Sequence, residues 1–582
     1  MPHRYEQKEA PRLRLAHALR ESWQEGYGAR ELRADVVAGI VVGIVALPLA
    51  MALAIASGVP PQYGLYTSIV AGAMIPLLGG SRSSVSGPTA AFVVLLAPIS
   101  HRFGLGGLLL ATMMAGAILV AIGVARLGRW IQFVPHPVTT GFTAGIAIVI
   151  ATLQLTDFLG LSIEHMPEHF PEKVAALAAA VPHAHWHELS IGLFTLLVLL
   201  VWPRITKRVP GPLVALALGA AAAALLAQLV PGFHVDTIGS RFHYDIGGQT
   251  LPGIPRMLPH FAWPWQMPGP DGQPVGLSFG LVRELAGPAF AIAMLGAIES
   301  LLCAVVADGM AGTRHDPDVE LVAQGIGNLV GPLFGGIAAT GAIARTATLV
   351  RAGGRSPVAS FLHAVFVLAA VLALAPYLAW LPMASLAALL LIVAWNMSEA
   401  RHFIHIVRVA PKSDVFVLLS CFGLTVVFDM VISVSVGIVL AALMFMRRMS
   451  DSFSARVADR TPAQHADPHL QGVVVYDIGG PLFFGAAEKA ISALAPVAGK
   501  ARAVILHMSA VPIIDVTGLV AFESTLDKLA RAGTFVVLVG VQPQPQEILK
   551  HGGLTDQPSR LAICRTQEEA LEAVREHARH AG

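Results

Sequence analysis

Charge is scarce in this chain. Asp, Glu, Lys and Arg together make up 13% of the 582 residues, while 55% are hydrophobic. A soluble globular domain carries about 25% charged residues, so an ordinary water-soluble fold is excluded for most of the length. The charges nearly cancel, at +2, which leaves no basic surface for a nucleic acid. Cysteine is scarcer still. Cys303, Cys421 and Cys564 lie far apart and form neither a CxxC nor a zinc spacing, so a disulfide framework is not expected. There is no phosphate-binding P-loop and no HExxH. ATP-driven pumping and hydrolysis lose their support, and an enzyme is the least favoured class. No cofactor is expected beyond a coupling ion.

Long apolar runs are what the chain has instead. The N-terminus is too charged for a signal peptide, with Arg12, Arg14, Arg20, Glu21, Glu25, Arg30, Glu31 and Arg33 ahead of the first run. Ala54-Ile55-Ala56 resembles a cleavage site, but the run before it is long enough to cross a bilayer and reads as a first membrane helix. Candidate segments follow at 36–56, 62–79, 87–99, 103–124, 137–155, 189–203, 211–230, 284–307, 318–335, 341–351, 357–376, 382–396, 414–428 and 431–447.

Two of these, 87–99 and 341–351, are too short to cross alone. Each follows a broken stretch, Ser84-Val85-Ser86-Gly87-Pro88-Thr89 and Gly335-Gly336-Ile337-Ala338-Ala339-Thr340-Gly341. Short, interrupted segments in corresponding halves point to an inverted-repeat transporter. Non-helical backbone at membrane depth survives only inside protein or beside a cavity. A half-helix starting there aims its unpaired N–H groups into that cavity, and two such ends make an anion site. Re-entrant packing elements with no ligand are the plainer alternative. The proline- and glycine-rich stretch 231–283 separates the halves. Basic residues before the first span and Arg447-Arg448 after the last place both termini in the cytoplasm.

Beyond residue 449 the pattern changes to that of a soluble α/β domain. Strands are expected at 473–478, 503–507, 535–539 and 561–564, and helices at 486–494, 516–532, 545–551 and 567–579. The expected division is a cytoplasmic N-terminal segment 1–34, a transport domain 35–449, a linker 450–468 and a C-terminal domain 469–582.

Few ionisable residues fall inside spans, and each carries a functional expectation. Glu299, amid Ala297-Ile298 and Ser300-Leu301-Leu302, is suited to hold a proton or ligate a sodium ion. A structural hydrogen bond is the alternative. Asp308, nine residues on, reads as a solvated helix end. Arg345, in the first turns of the second half-helix, makes sense beside a bound anion. Snorkelling to an interface would be its other use. His165, His169, His183, His185 and His187 crowd one loop, but Pro167 breaks the helical spacing a metal would need.

Three stretches, Leu47-Pro48-Leu49-Ala50-Met51-Ala52, Gly58-Val59-Pro60-Pro61-Gln62-Tyr63-Gly64-Leu65-Tyr66 and Gly79 to Thr89, resemble the sulfate permease (SulP) family of anion transporters. So do 297–310 and 340–351, and the C-terminal domain is similar to a STAS domain. The resemblance implies a polytopic α-helical membrane protein of fourteen segments in a 7+7 inverted-repeat fold, with core and gate domains, two half-helices and a cytoplasmic α/β STAS domain. It places the anion near Gly87, Pro88, Thr89, Ala344 and Arg345, and cation coupling at Glu299. It also implies a homodimer in a bacterial inner membrane, with a possible protein partner for the STAS domain. Pro48-Leu49-Ala50 departs from the Pro-Gln-Gly of many relatives, removing a polar side chain beside the site and counting against simple sulfate transport. Residues 293–306 and 393–400 resemble the enterobacterial C4-dicarboxylate branch, so fumarate, succinate or aspartate, taken up with H+ or Na+, is the expected substrate. A bicarbonate or sulfate carrier is the alternative, and a passive anion channel or STAS-signalling sensor stands in another class. In Ile514-Asp515-Val516-Thr517-Gly518-Leu519, Thr517 aligns with a phosphorylatable position of related domains. A phosphate at a helix N-terminus is electrostatically welcome, although a plain N-cap threonine is the preferred reading.

Overall fold

The structure, a computed structural model, describes residues 14–131, 134–163, 167, 169–206, 209–246, 249–428, 430–451, 453–458, 467–483, 500–557 and 560–580. The chain divides into two compact units, 1–438 and 439–582. Nine helical stretches among the described residues, one of them the continuous run Met383–Val409, are long and apolar enough to cross a membrane.

The first half contains α1 (His17–Gln24), α2 (Ala29–Ala56), α3 (Pro61–Leu78), the two-residue strand β1 (Ser86–Gly87), α4 (Ala90–Val124), a short α5 (Gly128–Ile131), α6 (His136–Leu159), α7 (Phe170–Ala180), α8 (Trp186–Ile205) and α9 (Gly211–Leu229). Helix α4 joins two segments across a break at Gly104, whose φ of 69° only glycine adopts easily. Between the halves lie α10 (Ile238–Arg241) and a hairpin, β2 (His243–Ile246) with β3 (Gln249–Pro252), that hydropathy does not reveal. The second half runs α11 (Phe279–Ala311), α12 (Pro317–Val330), β4 (Thr340–Gly341), α13 (Ile343–Arg351), α14 (Pro357–Leu378), α15 (Met383–Ser398), α16 (Ala400–Val409), α17 (Lys412–Val427) and α18 (Met430–Asp451).

Local chemistry sets many of these starts. Asp316 caps α12 by accepting from the N–H groups of Asp318 and Val319, with Pro317 at the first helical position. Ser356 caps α14 ahead of Pro357, and Ser278 caps α11. Asp308, expected as a solvated helix end, instead ties the turn after α11 together. Its carboxylate accepts from Thr313 Oγ1 at 2.7 Å and His315 N at 2.8 Å.

The two halves pack reciprocally. Helix α2 lies on α14 as α11 lies on α4, and α3 lies on α14 as α12 lies on α4. Likewise α6 packs on α17 and α15 on α8. One cluster, α2–α4 with α11–α14, forms the core, and α6, α8, α9, α15 and α17 form the other group. Close approach of α4 and α12 depends on a glycine pair. A Cβ on Gly116 would meet the Gly325 carbonyl at 2.7 Å, and a Cβ on Gly325 would meet that of Gly116 at 2.7 Å. At the start of the fold, Asp35 is fully buried and accepts from Tyr27 Oη at 3.0 Å, Arg355 N at 2.9 Å and Ser356 Oγ. Burial and that neighbouring carboxylate push the Tyr27 hydroxyl up to about 12.

The second unit contains a five-stranded sheet in the order β5 (Ser454–Val457), β6 (Val473–Gly479), β7 (Ala503–Ala510), β8 (Phe535–Val539), β9 (Leu561–Cys564). All neighbours are parallel except β5, which pairs antiparallel with β6. The stretch read as linker therefore contributes an edge strand. Its Ser454–Val457 backbone finds partners in 476–479, a long-range pairing that four residues of pattern do not announce. Alternation in β7 feeds two cores: Val504, Leu506 and Met508 meet Phe522, Leu526 and Leu529, while Ala503 and Ile505 meet Ala570 and Val574. The helix expected at 486–494 lies outside the described residues.

Buried Asn328 bonds the main chain of the segment before β4, accepting from Ala339 N at 2.8 Å and donating to its carbonyl at 2.8 Å. Asn328→Ala leaves both groups unpaired at the centre of the core. We expect a loss of about 1–3 kcal/mol in stability, read as a lower melting temperature of the purified protein; an unchanged melt would show that this bridge is dispensable.

Candidate functional site

The site begins with four residues of backbone. Ser86 pairs with Gly341 and Gly87 with Thr340 in an antiparallel register, and Ala342 N donates to Val85 O at 2.8 Å. This pairing absorbs main-chain groups that no bilayer would solvate. Helices α4 and α13 then start at Ala90 and Ile343, so their free N–H ends face a common space. A belt of buried hydroxyls holds the crossing. Thr346 Oγ1 accepts from Val85 N at 2.9 Å, Ser300 Oγ and Thr340 Oγ1 lie 2.8 Å apart, and Gln324 Nε2 donates to Ser86 Oγ at 2.8 Å.

Three charged side chains meet there. Arg345, in the first turn of α13, is only 2% exposed. Its Nη2 donates to the Pro88 carbonyl, while Nε and Nη1 are buried with no hydrogen-bond partner. A buried cation with unmatched donors is costly unless a ligand supplies acceptors. Glu299, on α11, accepts from Thr89 Oγ1 at 2.9 Å and thereby touches the cap position of α4. Glu399 stands at the junction of α15 and α16 with φ 41°, a left-handed backbone that non-glycine residues rarely adopt.

These groups line one cavity of about 310 Å³. Pro88, Thr89, Glu299, Ala344 and Arg345 form one wall, and Thr143, Val393, Asn396, Met397 and Glu399 form the other. Five of the residues expected near the substrate or coupling ion thus share a cavity. Gly87 is not in its lining; it lies behind Arg345, where a Cβ would come 2.6 Å from Nη1. Leu49 is in the lining, at the position where the sequence departs from its relatives. Sequence reasoning missed the opposite wall. Asn396 and Glu399 were visible as polar residues ending an apolar span, but nothing in their spacing showed that they face Arg345's cavity.

Thr517 belongs to the other unit and sits exposed in the first turn of helix Val516–Arg531. It is not the N-cap. Asp515 takes that place, its Oδ1 accepting from Gly518 N at 2.6 Å, so the Thr517 hydroxyl is not used for capping.

Two facing half-helix ends and a buried arginine, set in an inverted-repeat bundle, define a membrane transporter of anions. Residues 32–421 match the sulfate permease family and residues 466–570 match the STAS domain. The chain belongs to the sulfate permease family and carries a STAS domain at its C-terminal end. It is 40% identical to the putative sulfate transporter YvdB of Bacillus subtilis (strain 168) over 91% of this chain and 95% of that one. It is 28% identical to the bicarbonate transporter BicA of a Picosynechococcus species, over 93% of this chain and 94% of that one. Murine Slc26a9, an anion transporter solved in the inward-facing state, superposes with a TM-score of 0.80 at 20% identity, covering 98% and 96% of the two chains.

Gly87→Ala places a methyl group against the guanidinium without entering the cavity. The expected result is a folded protein, by size-exclusion profile, whose substrate affinity falls about tenfold, the effect of displacing one charge-assisted contact of roughly 1.4 kcal/mol. Wild-type affinity would show that Arg345 does not need its observed position.

Proposed function

We propose that this protein is a cation-coupled secondary transporter that moves a carboxylate-type oxyanion by alternating access. The observation that carries the reading is Arg345: a buried guanidinium whose Nε and Nη1 lack partners, beside a cavity of about 310 Å³. A planar oxyanion is the natural complement of that fork, and the half-helix ends add partial positive charge. Glu299 is the coupling group in this reading. Its contact with Thr89 ties its protonation or sodium binding to the start of the half-helix that receives the anion.

The cavity's charges favour bicarbonate as substrate. One guanidinium faces two carboxylates, Glu299 and Glu399, a balance that suits an anion of low charge entering with a cation. Likeness to BicA at 28% identity supports the same reading, while the 40% identity to YvdB, a putative sulfate transporter, keeps sulfate as an alternative. A C4-dicarboxylate such as fumarate or succinate is the second reading. It is favoured by the resemblance of 293–306 and 393–400 to dicarboxylate carriers, since Glu299, Val393, Asn396, Met397 and Glu399 from those stretches all line the cavity. A homodimer in a bacterial inner membrane, with both termini cytoplasmic, is the expected setting. Thr517, exposed at a helix start, is the proposed regulatory position.

Reconstitution into proteoliposomes with labelled bicarbonate and labelled fumarate, under imposed proton or sodium gradients, tests the proposal. Concentrative uptake of one of them is expected, and its failure with both would reject the coupled-carboxylate reading. In the same assay Arg345→Ala should lower uptake at least 100-fold, a loss of about 3 kcal/mol or more for an uncompensated buried contact. Arg345→Lys should recover only part, because ammonium lacks the planar fork. Glu299→Gln should abolish accumulation while leaving anion binding measurable. Full accumulation in that variant would remove Glu299 from coupling.

A further inference from the structure

Helix α16 is unlike its neighbours. Its ten residues sit between α15 and α17, and at 1.5 Å per residue it is far too short to cross a bilayer. None of its residues is buried. At 100° per residue, Ala400, Phe403, Ile404, Ile406 and Val407 gather on one side, while Arg401, His405 and Arg408 line the other at i, i+4 and i+7. Ile404 is 49% and Val407 37% exposed, an apolar display with no protein over it among the described residues. The Phe403 ring lies tilted 5.5 Å from that of Phe422, and His402 meets His136 edge-on at 5.3 Å, which fixes the helix against α17 and α6. Arg401 and Arg408 have neither ion-pair nor hydrogen-bond partners among the described residues, and Lys412 follows at the start of α17.

We propose that α16 is an interfacial helix that binds the phosphodiester headgroup of an anionic lipid. Its apolar side enters the acyl boundary, where exposed Ile404 and Val407 lose contact with water. Its cationic side meets headgroup phosphates, for which the arginine fork is the matching shape. Attachment to two membrane segments holds the helix at that depth. Charge complementarity selects a lipid over a protein partner: the free cations lie beside an apolar face that continues the bilayer-facing surface of α15 and α17, where Trp395 is 68% and Phe416 56% exposed. The consequence reaches the transport cavity. Helix α16 follows directly on Glu399, whose left-handed backbone joins it to Asn396 and Met397 in the cavity wall. A lipid that fixes α16 therefore fixes the hinge of that wall.

The test is lipid titration of the purified full-length protein, with bound lipid counted by native mass spectrometry. Phosphatidylglycerol and phosphatidylcholine are the probes. Wild type should hold phosphatidylglycerol more tightly than phosphatidylcholine. The double variant R401Q/R408Q should weaken phosphatidylglycerol binding about 25-fold, roughly fivefold for each surface cation, and R204Q on another membrane helix should not. Unchanged phosphatidylglycerol affinity in the double variant, or an equal loss in R204Q, overturns the proposal. So does a change of oligomeric state in R401Q/R408Q with lipid affinity intact, which would make this face a protein interface.

Discussion

Everything in the transport unit is arranged around one difficulty: a bilayer offers no water to backbone N–H and C=O groups. Helices solve this by bonding to themselves, and two half-helices starting at mid-depth do not. The four-residue pairing of Ser86–Gly87 with Thr340–Gly341 resolves part of the deficit, and the buried side chains of Asn328, Gln324, Thr346 and Ser300 resolve more. Among the groups still unpaired is the guanidinium of Arg345, beside the starts of α4 and α13. That guanidinium and the two helix starts line the same cavity.

The reciprocal packing explains why that cavity sits where it does. Because α2 on α14 mirrors α11 on α4, the half-helices meet on the axis relating the two repeats, and their strands pair antiparallel. The wall opposite is supplied by α6 and α15, through Thr143, Asn396 and Glu399. A site shared between two packed groups can change its exposure when one group shifts against the other, which is the geometric condition for alternating access. The Glu299–Thr89 hydrogen bond spans α11 and the cap of α4, one from each repeat, so it reports on that shared axis.

The soluble unit is stabilised by ordinary means. Both faces of its sheet are covered, and alternate residues of β7 reach different cores, as a parallel sheet buried on both sides requires. Asp515 rather than Thr517 caps its exposed helix, leaving the threonine hydroxyl available at a position where added negative charge meets a helix N-terminus.

Much of this could be read directly from the chain. Apolar run lengths located the spans, and the glycine- and proline-broken stretches before residues 90 and 343 located the half-helices, because backbone disruption in an apolar setting has few physical outcomes. The strands at 473–479, 503–510, 535–539 and 561–564 were legible from their period, whereas β5 was not, since an edge strand of four residues is defined by its partner. Glu299 and Arg345 stood out because charge in a span is expensive. That they share a cavity, that Arg345 has two nitrogens without acceptors, and that Glu399 forms the facing wall were decisions of the tertiary structure. Those facts depend on which helices touch, and residues on separate helices carry no local signal of meeting. Sequence by itself determined which residues had to be compensated; only the folded packing decided what compensates them.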